Sequence, residues 1–163
     1  MRTLVLMRHA KSDYPPGVGD HDRPLAERGV REGALAGDWL RANVPAIDAV
    51  LCSSATRTRQ TLGRTAIDAP ASFLDRLYDA SPGAVIDEIN KVDDAVSTLL
   101  VVGHEPTMSH LALGLAGPDS DREAAEHIAR KYPTSAIAVL RVPGSWSELG
   151  LSAAELTSFH VPR

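Results

Sequence analysis

The chain has 163 residues, which fits one domain, and its formal net charge of −4 provides no basic field for nucleic acid or an acidic membrane surface. Cys52 is the only cysteine, so the chain cannot form an internal disulfide, and nothing favours an oxidising compartment. No segment has the length and apolar character of a membrane span or a signal peptide. We therefore expect one soluble, cytoplasmic domain over residues 1–163, acting as a monomer, with Cys52 as a buried thiol.

The first predicted element is a strand over Thr3–Met7. Its residues are apolar without polar alternation, the pattern of a strand that is covered on both faces in a parallel sheet. Arg8 and His9 follow it directly. Because ligand sites open at the carboxyl ends of parallel strands, we expect this guanidinium and this imidazole to face a crevice that suits an anion.

A long polar loop over residues 13–23 comes next. It contains two prolines and two glycines, and its position beside His9 favours a role as one wall of the crevice. A helix is predicted from Leu25 to Asn43, ending before Pro45. Leu35, Trp39 and Ala42 recur at helical spacing, so this stripe, with Trp39 as a core residue, is predicted to face inward.

Two further apolar strands end close to charged side chains. Ala49–Cys52 leads into a helix that begins with hydroxyl residues, which can cap free backbone N–H groups, and its first turn carries Arg57. A helix N-terminus favours negative charge, and a guanidinium adds bidentate donors there. Leu99–Val102 ends at Gly103 and His104. If these strands lie in one parallel sheet, Arg8, His9, Arg57 and His104 converge on one pocket.

The remaining patterns complete the predicted architecture. Ser81 and Pro82 open a helix with Val85, Ile89 and Val92 inward, and the helix after His104 has its own inward stripe of Met108, Leu111, Ala112 and Leu115. An acidic loop over residues 118–123 leads into a short helix ending at Lys131. Strands over Ala136–Val142 and Glu155–Val161 are predicted to pair as a hairpin or at an edge. These elements predict an α/β fold, a three-layer α/β/α sandwich with a mostly parallel central sheet.

The predicted pocket has the composition of a phosphoryl site that needs no metal ion or other cofactor. It has two arginines and two histidines, and the chain lacks both metal-ligand spacings and a GxxxxGK[ST] loop. Arginine forks would hold the phosphoryl oxygens. We predict His9 as the nucleophile, with Nδ1–H bound to a backbone carbonyl, and His104 as the group that stabilises developing charge.

Three stretches carry a resemblance to a known family: Arg8–Ser12 (RHAKS), Ser53–Thr61 (SSATRTRQT) and Val102–Pro106 (VGHEP). They resemble the three signatures of the histidine phosphatase superfamily, which shares the phosphoglycerate mutase-like fold. Asp22–Leu25 (DRPL) and Glu27–Gly29 (ERG) are similar to its SixA-type phosphohistidine phosphatase branch.

The resemblance implies a ping-pong hydrolase. His9 is phosphorylated, Arg8, Arg57 and His104 complete the phosphate pocket, and water releases phosphate without a cofactor. Ser12, in the first signature, and Arg23, in the loop, are further candidate substrate contacts. Many relatives have glycine where this chain has Ala10, and relatives that act on alcohol phosphates have a glutamate proton donor where this chain offers Asp75, with Asp79 nearby. Both aspartates can equally be carboxylates at a loop edge.

The uncertain donor favours protein phosphohistidine, because an imidazole leaves with little help from a general acid, whereas an alkoxide needs one. Other classes stay open at this point: a small-molecule phosphomonoesterase, a phosphoglycerate mutase-like phosphotransferase, and a non-catalytic phosphate-binding module. A mutase needs a larger enclosing insert than this compact chain has. A binder needs the arginines but not the nucleophile His9.

Overall fold

The fold is built on one six-stranded sheet, and the computed structural model describes all residues, 1–163. The strands are β1 (Arg2–Arg8), β2 (Ala49–Ser53), β3 (Ala71–Leu74), β4 (Thr98–Gly103), β5 (Ile137–Val142) and β6 (Glu155–His160). The helices are α1 (Glu27–Asn43), α2 (Thr56–Thr65), α3 (Pro82–Asn90), α4 (Thr107–Leu115) and α5 (Arg122–Arg130). Three short 3₁₀ turns lie at Asp20–Asp22, Asp75–Leu77 and Trp146–Glu148.

The strand order is β3-β2-β4-β1-β5-β6. The first four strands in that order run parallel, whereas β5 is antiparallel to both β1 and β6. The predicted sandwich and the pairing of the last two strands are therefore confirmed. The apolar pattern does not predict β3, because this edge strand exposes Ala71, Ser72 and Phe73. β1 and β4 pair so that Arg8 lies opposite Gly103, and their carboxyl ends meet at the same edge.

Each face of the sheet has its own hydrophobic core. Leu4 and Leu6 of β1 point into a cluster of 23 buried residues under α3, α4 and α5, while Val5 and Met7 point into a cluster of 11 under α1 and α2. Successive side chains of β1 thus point to opposite faces of the sheet, and both faces are covered by helices, as the apolar pattern of this strand predicts. The central strands are thereby fixed, and the residues that follow them are held on a rigid support.

The predicted inward stripe of α1 is wrong for Leu35 and Ala42, whereas Trp39 packs against the core that α1 and α2 cover. Leu35 and Ala42 are exposed and Trp39 is half-buried, stacked on His160 with the ring centroids 4.6 Å apart. The buried face is instead made of Gly29, Gly33, Ala36, Gly37 and Leu40, together with the charged residue Glu32. A Cβ at Gly37 would lie 2.1 Å from the Thr65 carbonyl oxygen, so close packing of α1 on α2 requires glycine there.

The other helices follow their sequence patterns more closely. The predicted stripe of α4 is buried throughout, and the Ser81 side chain caps α3 by accepting a hydrogen bond from the backbone N–H of Ala84 at 3.2 Å. The predicted hydroxyl cap of α2 is wrong, because its N-cap is Ala55 and no side chain caps it. None of the helices has the length and apolar composition needed to span a membrane.

Candidate active site

The two histidines that follow β1 and β4 lie side by side. Their ring centroids are 5.3 Å apart, with the ring planes inclined at 56°. The backbone N–H of His9 donates to the Gly103 carbonyl at 3.0 Å, and the His9 carbonyl accepts from the Ser135 N–H at 3.0 Å. Both imidazoles are nearly enclosed, with 7% of His9 and 8% of His104 exposed. The parallel pairing of β1 with β4 thus places two residues that are far apart in sequence at one point.

A short contact fixes the orientation of the His9 ring. Its Nδ1 lies 2.7 Å from the Ala10 carbonyl oxygen, the predicted type of partner. The Ala10 N–H donates to the Thr61 hydroxyl at 2.9 Å, which ties this turn to α2. Because a carbonyl oxygen only accepts, Nδ1 carries the proton in this contact. The lone pair of the neutral ring is then on Nε2.

Both imidazoles are held in the neutral form. Burial, with smaller contributions from the nearby His104, Arg8 and Arg57, lowers the pKa of His9 from 6.5 to about 3. Burial likewise lowers the pKa of His104 from 6.5 to about 4, with Arg57 as the next contributor. At neutral pH, His9 is therefore unprotonated on the nitrogen that a nucleophile uses.

His104 is oriented by a serine that the sequence analysis does not assign to the site. The Nε2 atom of His104 lies 2.8 Å from the Ser53 hydroxyl, which also accepts from the Ala55 N–H at 3.3 Å. Nδ1 of His104 is buried and has no hydrogen-bond partner. Ser53 is completely buried, so its hydroxyl positions the ring and is not open to a substrate.

Arg57 reaches the same pocket from the first turn of α2. Its Nη1 donates to the Asp20 carbonyl at 2.7 Å and its Nη2 to the Asp20 carboxylate at 3.1 Å, while its buried Nε has no partner. The hydrogen bond from the Tyr78 hydroxyl, followed by those from Arg57 and Arg23, lowers the pKa of Asp20 to about 2. The backbone carbonyl and the ionised carboxylate of Asp20 therefore each satisfy one donor of Arg57.

Arg8 lies at the end of β1, on the other side of His9. Its Nη1 donates to the Tyr132 carbonyl at 2.9 Å, and its buried Nε has no partner. Burial lowers the pKa of Arg8, and the positive charge of Arg57 contributes in the same direction. Arg57 also lowers the pKa of both histidines. The four side chains predicted to converge therefore share one electrostatic environment.

The predicted substrate contacts Ser12 and Arg23 bind each other. Nη1 of Arg23 donates to the Ser12 hydroxyl at 2.8 Å, its Nε pairs with Asp20 at 3.1 Å, and its guanidinium carbon lies 4.1 Å from the centroid of the Tyr14 ring. Ser12 is buried. These contacts fasten the loop over residues 13–23 beside the pocket, so the structure places both side chains in the wall of the site.

The candidate donor Asp75 is exposed and belongs to a chain of hydrogen bonds. Its carboxylate accepts from the Ser54 hydroxyl at 2.5 Å, and Nε2 of His21 lies 3.1 Å from the same hydroxyl oxygen. Asp79 is also exposed and has a positive φ of 53°. The ring of Tyr78 packs edge-on against His21 at 4.8 Å and against His104 at 5.6 Å, measured between centroids. Asp75 is thus linked to the rim of the pocket through Ser54, His21 and Tyr78.

Asp20, Ser53, Ser54 and Tyr78 belong to this constellation but are not among the site residues predicted from the sequence. Ser53 is the first residue of the signature Ser53–Thr61 and lies at the end of β2, and these two features could have identified it as a site residue. Asp20 and Tyr78 are 58 residues apart, and their mutual hydrogen bond gives no local pattern. No three His, Cys, Asp or Glu side chains are grouped in a way that could hold a metal ion.

Similarity to known proteins agrees with this geometry. The family model described as histidine phosphatase superfamily (branch 1) matches residues 4–98. An uncharacterised Mycobacterium tuberculosis protein is 64% identical over 158 residues, covering 96% of this chain and 100% of that protein. The structure of a candidate phosphohistidine phosphatase SixA from Nakamurella multipartitia is 41% identical, with a TM-score of 0.91 over 99% of this chain and 96% of that one. A candidate SixA from Agrobacterium tumefaciens is 27% identical, with a TM-score of 0.81 over 99% of each chain.

The chain belongs to the histidine phosphatase superfamily, and the phosphoglycerate mutase-like sandwich predicted from the sequence is its fold. Within that superfamily it is a phosphatase of the SixA-type branch.

Proposed function

We propose that this phosphatase transfers the phosphoryl group to His9 and then to water, without a metal ion or other cofactor, and that its substrate is phosphohistidine in a protein. The contact between His9 Nδ1 and the Ala10 carbonyl, at 2.7 Å, carries the proposal. It directs the lone pair of a neutral, buried imidazole to Nε2, where a nucleophile is needed.

In the first step, Nε2 of His9 attacks phosphorus and the bond to the leaving group breaks. The guanidinium groups of Arg8 and Arg57 neutralise the nonbridging oxygens, and each has a buried Nε without a protein partner. Arg57 releases Asp20 as the phosphoryl oxygens replace that carboxylate. The negative charge of the phosphoryl group raises the pKa of His104, whose unpartnered Nδ1 stabilises the transition state.

In the second step, a water molecule attacks the phosphorus of phospho-His9. The bond from phosphorus to Nε2 breaks, its electron pair returns to the imidazole, and phosphate leaves. The attacking water gives its proton to bulk solvent, so Asp75 is not required as the acceptor. His9 is then neutral again and ready for another turnover.

The leaving group decides the substrate class. Asp75 is exposed, and one of its carboxyl oxygens accepts a hydrogen bond from the Ser54 hydroxyl at 2.5 Å, so this acid is not enclosed in the pocket with a leaving alkoxide that needs a proton. An imidazole leaves from phosphohistidine with little assistance. The names of the SixA relatives refer to the same substrate, which supports phosphohistidine over a sugar or alcohol phosphate.

Phosphate release from a histidine-phosphorylated peptide, from p-nitrophenyl phosphate and from an alkyl phosphate tests the proposal. We expect hydrolysis of the first two substrates, a much slower reaction with the alkyl phosphate, and loss of at least about a thousandfold in the His9→Ala variant. His110→Ala is the matched control, because His110 is an exposed imidazole on α4. Rapid hydrolysis of alkyl phosphates alone would instead identify a small-molecule phosphomonoesterase. Return of phosphate to a phosphorylated sugar acid would identify a mutase.

A further inference from the structure

A basic cavity of about 290 Å³ lies beside the catalytic pocket. Five of its seven lining residues are cationic, and none of the seven is hydrophobic. The five cations are Arg8, Lys11, Arg28, Lys131 and Arg163. The whole chain has a net charge of −4, so this concentration of positive charge runs against the overall balance.

Only part of this charge is compensated within the chain. The buried carboxylate of Glu32 pairs with Nε of Arg28 at 3.2 Å and with Nη1 of Arg163 at 2.9 Å, which compensates part of the charge of these two guanidinium groups. Lys11 and Lys131 are exposed and form none of the ion pairs of the structure. Two ammonium groups on flexible stems are therefore available to a partner.

The cavity shares one lining residue with the candidate active site. Arg8 lines the cavity and immediately precedes His9. Lys11 is two residues beyond His9, and adjacent residues of an extended chain are about 3.3 to 3.6 Å apart. A polypeptide with its phosphohistidine on His9 therefore reaches the two lysines with the residues that flank the phosphorylated position.

The lining favours carboxylates on a polypeptide over a small molecule. Pockets for small ligands are mostly apolar with a few polar groups, whereas this cavity has no apolar lining to hold a sugar or a base. Glu32 already binds one donor of Arg28 and one of Arg163, so a second phosphate would compete with a buried carboxylate for these two side chains. Lysines act as mobile point charges, which suit flexible Asp and Glu side chains.

We propose that this cavity binds an acidic segment of the protein substrate, next to the phosphohistidine that is presented to His9. The inference rests on the proposed function and adds a specificity determinant to it: Lys11 and Lys131 select phosphohistidine sites flanked by carboxylates. The interaction is electrostatic and near the surface, so added salt weakens it.

Three histidine-phosphorylated peptides test the inference, with Asp and Glu, with Ser and Thr, or with Lys flanking the same phosphohistidine. We expect the acidic peptide to exceed the neutral one by about tenfold in kcat/KM at low salt, mainly through KM, and this ratio to shrink to about twofold at high salt. The double variant Lys11→Gln, Lys131→Gln is expected to lose the preference for the acidic peptide. The control Arg122→Gln removes an exposed cation elsewhere and keeps the preference.

The outcomes separate the inference from the function beneath it. Equal kcat/KM values for the acidic and neutral peptides overturn the docking site while phosphohistidine hydrolysis stands. A preference for the acidic peptide that survives in the double variant also overturns it, because another surface must then bind the carboxylates. Hydrolysis of p-nitrophenyl phosphate with no turnover of any of the three peptides overturns the proposed substrate, and the docking site with it.

Discussion

Removal of the His9 imidazole should change how the stability of the protein depends on pH. Burial lowers the pKa of His9 from 6.5 to about 3 in the folded state. Below pH 6.5 the unfolded chain takes up a proton on this ring, and the folded chain does not. The free energy of unfolding is therefore unaffected by this ring above pH 6.5. It falls by about 1.4 kcal/mol per pH unit as the pH is lowered from 6.5 toward 3.

The expected magnitude follows from these two pKa values. Between about pH 7.5 and about pH 5, His9 alone accounts for a loss of about 2 kcal/mol in the free energy of unfolding. Urea titrations at both pH values, on the wild type and on His9→Gln, measure it. The wild type should lose about 2 kcal/mol more than the variant across this interval, whatever the offset between the two proteins at neutral pH.

A control variant separates burial from the simple loss of an imidazole. His110→Gln removes an exposed ring on α4, which stays in contact with water in both states. It should therefore lose stability across the interval to the same extent as the wild type. If the wild type and His9→Gln lose the same free energy, the His9 ring is not held neutral by burial, and the argument for its readiness as a nucleophile fails.

Three further outcomes are expected. Arg57→Lys should lower kcat/KM by about ten- to a hundredfold, because an ammonium group cannot replace the guanidinium fork. The control Arg59→Lys, on the exposed side of α2, should change kcat/KM little. Equal losses in the two variants would refute the role of Arg57. Gly37→Ala should lower the free energy of unfolding by about 1 to 3 kcal/mol, since the new Cβ would lie 2.1 Å from the Thr65 carbonyl oxygen. Gly63→Ala places its Cβ in open space and should not destabilise the protein. Chemical denaturation measures both variants. Asp75→Asn should change phosphohistidine hydrolysis by less than about threefold in steady-state assays, and a loss above a hundredfold would make Asp75 an essential acid.

The parts of the molecule that are predictable from the sequence depend on local patterns. The apolar runs before His9 and before His104 specify strands covered on both faces, and helices on both sides of the sheet then follow. The ends of parallel strands meet at one edge, so the convergence of the two histidines follows from the pattern alone. The predicted inward stripe of α4 is also confirmed, because the spacing of its apolar residues matches the period of an α-helix.

Other parts depend on which surfaces meet, and no local pattern specifies this. The buried face of α1 is set by its close contact with α2, where Gly33 and Gly37 fit and large apolar side chains do not. Apolar periodicity therefore selects Leu35, which is exposed, and Trp39, which is half-buried at the edge of the core. The contact between Arg57 and Asp20 is similarly hard to predict, because it joins α2 to a short 3₁₀ turn 37 positions earlier in the chain.

The most direct measurement of the central claim is the site of the covalent phosphoryl group during turnover. Rapid quenching in alkali with a phosphohistidine peptide, followed by peptide mass spectrometry, should find up to one phosphoryl group per chain, stable in alkali, labile in acid and located on His9. The label should be absent from the His9→Ala variant. A label on Ser53, Ser54 or Cys52, or full turnover by His9→Ala, would contradict the account.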